Sequence, residues 1–121
     1  VFAALYAKDK EKGSQAVYLN ARLIAQDLYA LGITVDCVPL ADVPVAGAHD
    51  VIGDRAFGRE PQQVIELARA QAEGLMDGGV VPVLKHIPGH GRAVADSHEE
   101  IPVVPTPLEE VMSSTSAMAP R

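Results

Sequence analysis

The chain has 121 residues, a formal net charge of −6 and 48% hydrophobic residues. That length suits one domain and falls well short of the roughly 250 residues of a closed (β/α)8 barrel. Ten Lys and Arg against 16 Asp and Glu, with three Tyr, two Phe and no Trp, exclude a nucleic-acid surface, which needs clustered cations and stacking rings. The hydrophobic share is too high for a disordered chain. No apolar run approaches the ~18 residues of a membrane span, so no membrane partner is expected.

The chain opens on Val1 rather than Met. VFAALYA then runs into the charged stretch KDKEKG with no basic segment before it, unlike a secretory signal. Residues 14–31 read as a helix. Val17, Ala21, Ile24, Leu28 and Leu31 fall on one stripe, Ser14 is a candidate N-cap and Gly32 supplies the stop. ITVDCV (33–38) is β-branched and nearly all apolar, the pattern of a strand covered on both faces in a parallel sheet. Cys37 within it reads as a buried, inert small side chain. As the single Cys it forms no internal disulfide, and nothing points to an oxidising compartment.

Pro39 ends that strand, and residues 39–60 form a long loop dense in Pro, Gly and Asp. A second helix starts at Pro61, carries Val64, Ala68, Ala72 and Leu75 on its stripe, and stops at Gly78 and Gly79. VVPVL (80–84) is a second short strand, although Pro82 lacks the N–H that a central strand uses. KHIPGHGRAVADSHEE (85–100) is another loop, rich in Gly, His and charge. PLEEVM (107–112) starts a third helix, and SSTSAMAPR (113–121) is an unpatterned, frayed tail. The order helix, strand, long loop, helix, strand, long loop defines an α/β protein with parallel strands. Both loops leave the C-terminal ends of strands, where such folds place their sites. A missing start and an unpatterned end suggest a piece of something larger.

Three of the four His lie within residues 85–98, together with Lys85, Arg92 and Asp96. Lys85 and His86 end a strand, which is a rigid mount. Pro88, Gly89 and Gly91 make a turn whose backbone can approach a ligand closely. Asp96 and His98 are two apart, so the carboxylate can accept from the imidazole and fix its tautomer, making His98 a candidate general acid/base.

Blander readings stand beside these. A His in a Gly-rich loop is commonly a solvated turn residue, and a lone Lys is commonly a surface charge. His86, His90 and His98 can also be read as a metal set, but the Pro-Gly interruption removes the helical face that such sites use. Arg55 in IGDRAFG reads either as a salt-bridge partner or as a fork for hydroxyl or carboxylate groups. Asp36 and Asp42, at a strand end, read as loop caps or partners of a nearby cation.

KHIPGHG followed by ADSH and then IP resembles the signature of glycoside hydrolase family 3, most closely its bacterial β-N-acetylglucosaminidases. IGDRAFG is similar to that family's Ile-Gly-(Asp/Glu)-Arg stretch, and DCVPLADV to its strand ending in Pro-Val-Leu-Asp-Val. The three motifs stand in the family's order and cover residues 2 to about 110. The resemblance implies that residues 1–112 are part of the family's N-terminal (β/α)8 barrel, with 33–38 and 80–84 as neighbouring strands. It also implies that Arg55, Lys85 and His86 bind sugar and that His98, held by Asp96, is the acid/base.

The same resemblance implies retaining hydrolysis of terminal β-N-acetylglucosamine from muropeptides in the bacterial cytoplasm, with neither metal nor organic cofactor. The family's nucleophile is an Asp on a later strand with no counterpart here, and its Glu-Gly-Gly-x-Arg segment is also missing. Retaining hydrolysis needs both halves of the site. Two alternatives follow: an inactive, truncated sugar-binding module, or a broader β-glucosidase of the same family. Metal-dependent hydrolysis is a third. Exposed edges of parallel strands also predict that the chain alone self-associates. The loop 87–99, with its Gly and Pro breakers and few apolar anchors, is expected to be the least ordered part of the core.

Overall fold

A computed structural model describes residues 1–47, 51–87, 89–96 and 98–116, with side chains through Ser113. The elements run α1 (Phe2–Lys8), α2 (Lys10–Ala30), β1 (Val35–Asp36), a 3₁₀ turn (Gly53–Arg55), α3 (Pro61–Asp77), β2 (Val81–Pro82) and α4 (Leu108–Ser116).

The first two helices differ from the sequence expectation. α1 was not anticipated, and α2 begins at Lys10 rather than at Ser14. Asp9 separates them. Its backbone is extended, at φ −155° and ψ 106°, and its carboxylate accepts the Lys12 N–H at 3.0 Å. It therefore caps α2 in the role assigned to Ser14. Gly13 lets α1 fold back: a Cβ there would lie 2.4 Å from the Tyr6 Cα. The charged run hid both features, because its Lys and Glu lie on solvated helix surface.

Both helix-to-strand connections use one device. In α2 the Ile33 N–H donates to the Leu28 carbonyl and Gly32 to Tyr29. In α3 Val80 donates to Leu75 and Gly79 to Met76. Gly32 and Gly79 sit at φ +79° and +83°, the left-handed stop of a Schellman motif. The chain thus makes the same helix-to-strand step twice, as a barrel repeat requires.

α2 and α3 pack through small residues. Ala21 and Ala25 are buried, and a Cβ on Gly74 would meet the Tyr18 carbonyl oxygen at 2.5 Å. Tyr6, Val17, Phe57, Val64 and Leu67 form the core beneath α1. Ala21, Ala25, Leu75 and Val80 form a second core under the sheet. Of the expected α2 stripe, Leu31 is the exception and is exposed.

β1 and β2 are parallel, with Val35 opposite Val81 and Asp36 opposite Pro82. The ladder uses the N–H groups of Val81 and Val83, which donate to Thr34 and Asp36. The nitrogen of Pro82 faces away from β1, so the missing donor costs this pair nothing. Pairing also continues past Pro39, where Lys85 donates to the Pro39 carbonyl at 3.0 Å and Ala41 to the Lys85 carbonyl at 2.7 Å. The regular ladder is shorter than residues 33–38 and 80–84 and gives way to an isolated parallel bridge between Leu40 and Lys85.

One sheet face rests on α2 and α3. The other is open: Ile33, Val35, Val81 and Val83 are exposed. Cys37 shares the open face and is exposed, which corrects the expectation of a buried thiol. The strand composition anticipated cover on both faces, and the described residues supply it on one. α4 runs through Ser116, four residues into the stretch read as a tail. Among the described residues no helix is long and apolar enough to cross a membrane.

Candidate active site at the strand ends

The loops after β1 and β2 meet at Asp42, whose side chain is fully buried. Its Oδ2 accepts from His86 Nδ1 at 2.7 Å and its Oδ1 accepts the His90 backbone N–H at 2.5 Å. One carboxylate therefore holds two points of the second loop. The His86 and His90 rings stand edge to face, with centroids 5.4 Å apart. The loops also touch by backbone. Val45 donates to the Gly91 carbonyl at 3.0 Å, and a Cβ on Gly91 would lie 2.4 Å from the Val43 oxygen. The close approach that Gly91 allows is thus to the β1 loop. Gly89, at φ +135°, supplies a conformation that a side chain disfavours. Pro88, the first residue of the expected turn, lies outside the described residues.

Lys85 and His86 lie just past β2, with Lys85 in an isolated parallel bridge to Leu40. The backbone of Lys85 is locked to Pro39 and Ala41; the residue is half-buried, and its ammonium has no ion-pair partner among the described residues. Arg55 makes no salt bridge among the described residues. Its Nε donates to the Ile52 carbonyl at 3.2 Å and its terminal amino group to Val51 at 2.7 Å. The guanidinium thus closes its own 3₁₀ turn. No hydrogen bond among the described residues joins it to Lys85 or His86.

Asp96 and His98 do meet. Asp96 Oδ1 accepts from His98 Nδ1 at 2.8 Å and from the His98 backbone N–H at 2.9 Å. The carboxylate is 20% exposed and the imidazole 86%, so the ring projects into solvent while its orienter is mostly covered. Ser97 between them lies outside the described residues. The loop is better anchored than its composition indicates. Ala93 and Ala95 are buried, and Arg92 donates to Glu110 of α4 at 2.8 Å and to Thr106 just before α4 at 3.3 Å. No hydrogen bond among the described residues connects the Asp96–His98 pair to Asp42 or His86.

Asp42 is the residue that sequence reasoning undervalued. Its cap role is real, since it holds the His90 N–H, but its burial and its bond to His86 place it at the centre of the site. The available signal was a lone carboxylate in the apolar run PLADVPV just past a strand. Among the described residues no group of three or more His, Cys, Asp or Glu is arranged to hold a metal ion.

A repeated helix-to-strand step with polar side chains gathered at the strand C-termini defines part of an α/β barrel with its site on the loop face. The chain belongs to glycosyl hydrolase family 3: residues 2–120 match that family's N-terminal domain. It is 48% identical over 92 residues to the β-hexosaminidase LpqI of Mycobacterium tuberculosis, covering 76% of this chain and 24% of the relative. It is 38% identical over 108 residues to a β-hexosaminidase of Xanthomonas axonopodis pv. citri, covering 89% and 32%. In structure it resembles NagZ from Neisseria gonorrhoeae, solved with N-trifluoroacetyl-D-glucosamine. The TM-score is 0.87 at 34% identity, over 97% of this chain and 34% of that one. The chain thus spans about a quarter to a third of the length of these relatives.

Proposed function

We propose that this chain carries the acid/base and part of the sugar-binding half of a retaining β-N-acetylhexosaminidase that removes terminal N-acetylglucosamine from muropeptides. The observation that carries this reading is the Asp96–His98 pair on a loop at the strand ends. It is supported by relatives named β-hexosaminidase and by a structural neighbour bound to an N-acylated glucosamine.

In this scheme Asp96 holds Nδ1–H of His98, which leaves Nε2 to move protons. A carboxylate from a later strand of the barrel attacks the anomeric carbon. The bond to the leaving oxygen breaks, and that oxygen takes the Nε2 proton. Water then attacks the glycosyl ester as Nε2 takes a proton from it, releasing the sugar and restoring the carboxylate. A neutral imidazole avoids the repulsion that a second carboxylate would have with the nucleophile and with an anionic muropeptide. Lys85 and His86 contact the sugar hydroxyls. Arg55 contacts the sugar beside them. The reaction needs no metal or organic cofactor. The single, unpaired Cys37 suits the cytoplasm, where muropeptides would be met.

The test is hydrolysis by an enzyme carrying this chain within a full barrel. Release of N-acetylglucosamine from a muropeptide, with retained β configuration at first appearance, is expected. Hydrolysis of β-glucosides alone would replace this reading with the broader glucosidase. Sugar binding without turnover would replace it with the inactive module.

A further inference from the structure

The Asp96–His98 pair accounts for proton transfer, but it leaves unexplained why a carboxylate is buried at Asp42. A buried carboxylate is costly unless its oxygens are satisfied by strong donors. Here one oxygen takes His86 Nδ1 at 2.7 Å and the other takes the His90 N–H at 2.5 Å. The carboxylate side chain is fully buried, while the His86 ring is 37% exposed. A carboxylate only accepts, so the neutral ring must carry its proton on Nδ1, and Nε2 is left with a lone pair. The His90 ring packs against the His86 ring at 68°, with centroids 5.4 Å apart.

We infer that Asp42 is a positioning residue that locks His86 in the Nδ1–H tautomer, so that Nε2 accepts a hydrogen bond from a substrate hydroxyl. The neighbouring Lys85 offers donors only. The adjacent pair then reads two hydroxyl contacts of opposite sense, one donating to Nε2 and one accepting from the ammonium. This rests on the reading in which Lys85 and His86 contact the sugar.

Asp42→Asn tests it sharply. The buried His90 N–H keeps the single amide oxygen, so the NH₂ group faces His86 Nδ1 and turns it into an acceptor. The neutral ring is then expected to invert to Nε2–H. Long-range ¹H–¹⁵N spectra of the protein, recorded as a pH series, report the charge and the tautomer of the ring directly. Nδ1–H in the wild type and Nε2–H in Asp42→Asn are expected. An Nε2–H ring in the wild type would overturn the inference by itself, even if the variant failed to fold, as would one tautomer in both proteins.

Kinetics of the full-barrel enzyme separate this from a structural role. Asp42→Asn should lower kcat/KM for a β-N-acetylglucosaminide about tenfold, mostly through KM. In a His86→Ala background it should change kcat/KM less than about twofold, because the two act as one unit. Independent, additive losses would make Asp42 structural. A His86→Ala enzyme with unchanged KM would instead refute the sugar contact, while the spectra still decide the tautomer.

Discussion

Asp96 Oδ1 receives two hydrogen bonds from the same residue, from the His98 ring at 2.8 Å and from its backbone N–H at 2.9 Å. The backbone bond sets where the residue stands, and the ring bond sets which nitrogen is free. With the imidazole 86% exposed, Nε2 is open to a leaving group. In the full-barrel enzyme His98→Ala should lower kcat on the order of 10²–10⁴-fold for glycosides with poor leaving groups. The loss should be milder for activated aryl glycosides, whose first step needs no proton. Asp96→Ala should show the same pattern with a smaller loss, because the base remains and its orienter is gone. Equal losses on both substrate types would remove His98 from the proton-transfer role.

A tyrosine–carboxylate pair links stability to pH. The Tyr6 hydroxyl donates to Glu66, which also accepts from Gln62 at 2.9 Å. The Glu66 hydrogen bond, followed by burial, pushes the Tyr6 phenol up to about 12. The Tyr6 hydroxyl and then the Gln62 amide hold Glu66 below its ordinary 4.5. The folded state thus favours ionised Glu66 and neutral Tyr6. The Glu66 contribution is present above pH 4.5 and fades as pH falls through its lowered folded value. The Tyr6 contribution is intact below pH 10.0 and is lost as pH rises from there toward about 12. Tyr6→Phe should therefore flatten both limbs of a plot of urea midpoint against pH. Unchanged limbs would show that the pair contributes nothing to folding.

How much of this was legible in the sequence depended on whether the signal was local. Pro61, Gly32 and Gly79 mark helix ends through their own backbone preferences, and the structure places the ends there. Asp96 and His98 are two residues apart, so their meeting needed no tertiary information. Asp42 and His86 are 44 positions apart, and only strand register brings them together. Arg55 shows the reverse case, a side chain satisfied within four residues of itself by carbonyls that carry no sequence signal. Cys37 was misjudged because strand composition reports the faces that a full sheet would bury.

Helix packing gives a prediction in which two effects oppose. Gly74 lies inside α3, where alanine has the better intrinsic helix propensity by about 1 kcal/mol. The added methyl would lie 2.5 Å from the Tyr18 carbonyl and 2.8 Å from the Ala21 Cβ. Overpacking of this kind costs about 1–3 kcal/mol. Since the nearest atom is backbone, clash should win. Gly74→Ala is expected to lower the urea midpoint, and a raised midpoint would show that α2 and α3 can move apart freely.

The open sheet face sets the last expectation. Val35 and Val81 lie side by side across the ladder, and both are more than half exposed. Ile33 and Val83 extend the same apolar surface, and the outer edges of β1 and β2 carry backbone groups that the pair leaves unmatched. Burying such a face contributes about 25 cal/mol per Å², and strand edges add directional hydrogen bonds. The 121-residue chain on its own should therefore self-associate, with a mean mass by light scattering that rises with concentration. Val35→Thr combined with Val83→Lys should shift that mass toward the 12.8 kDa monomer without loss of helix signal, because both side chains lie off the α2–α3 core. A sharp monomer with cooperative unfolding at all concentrations would mean that this face tolerates water without a partner.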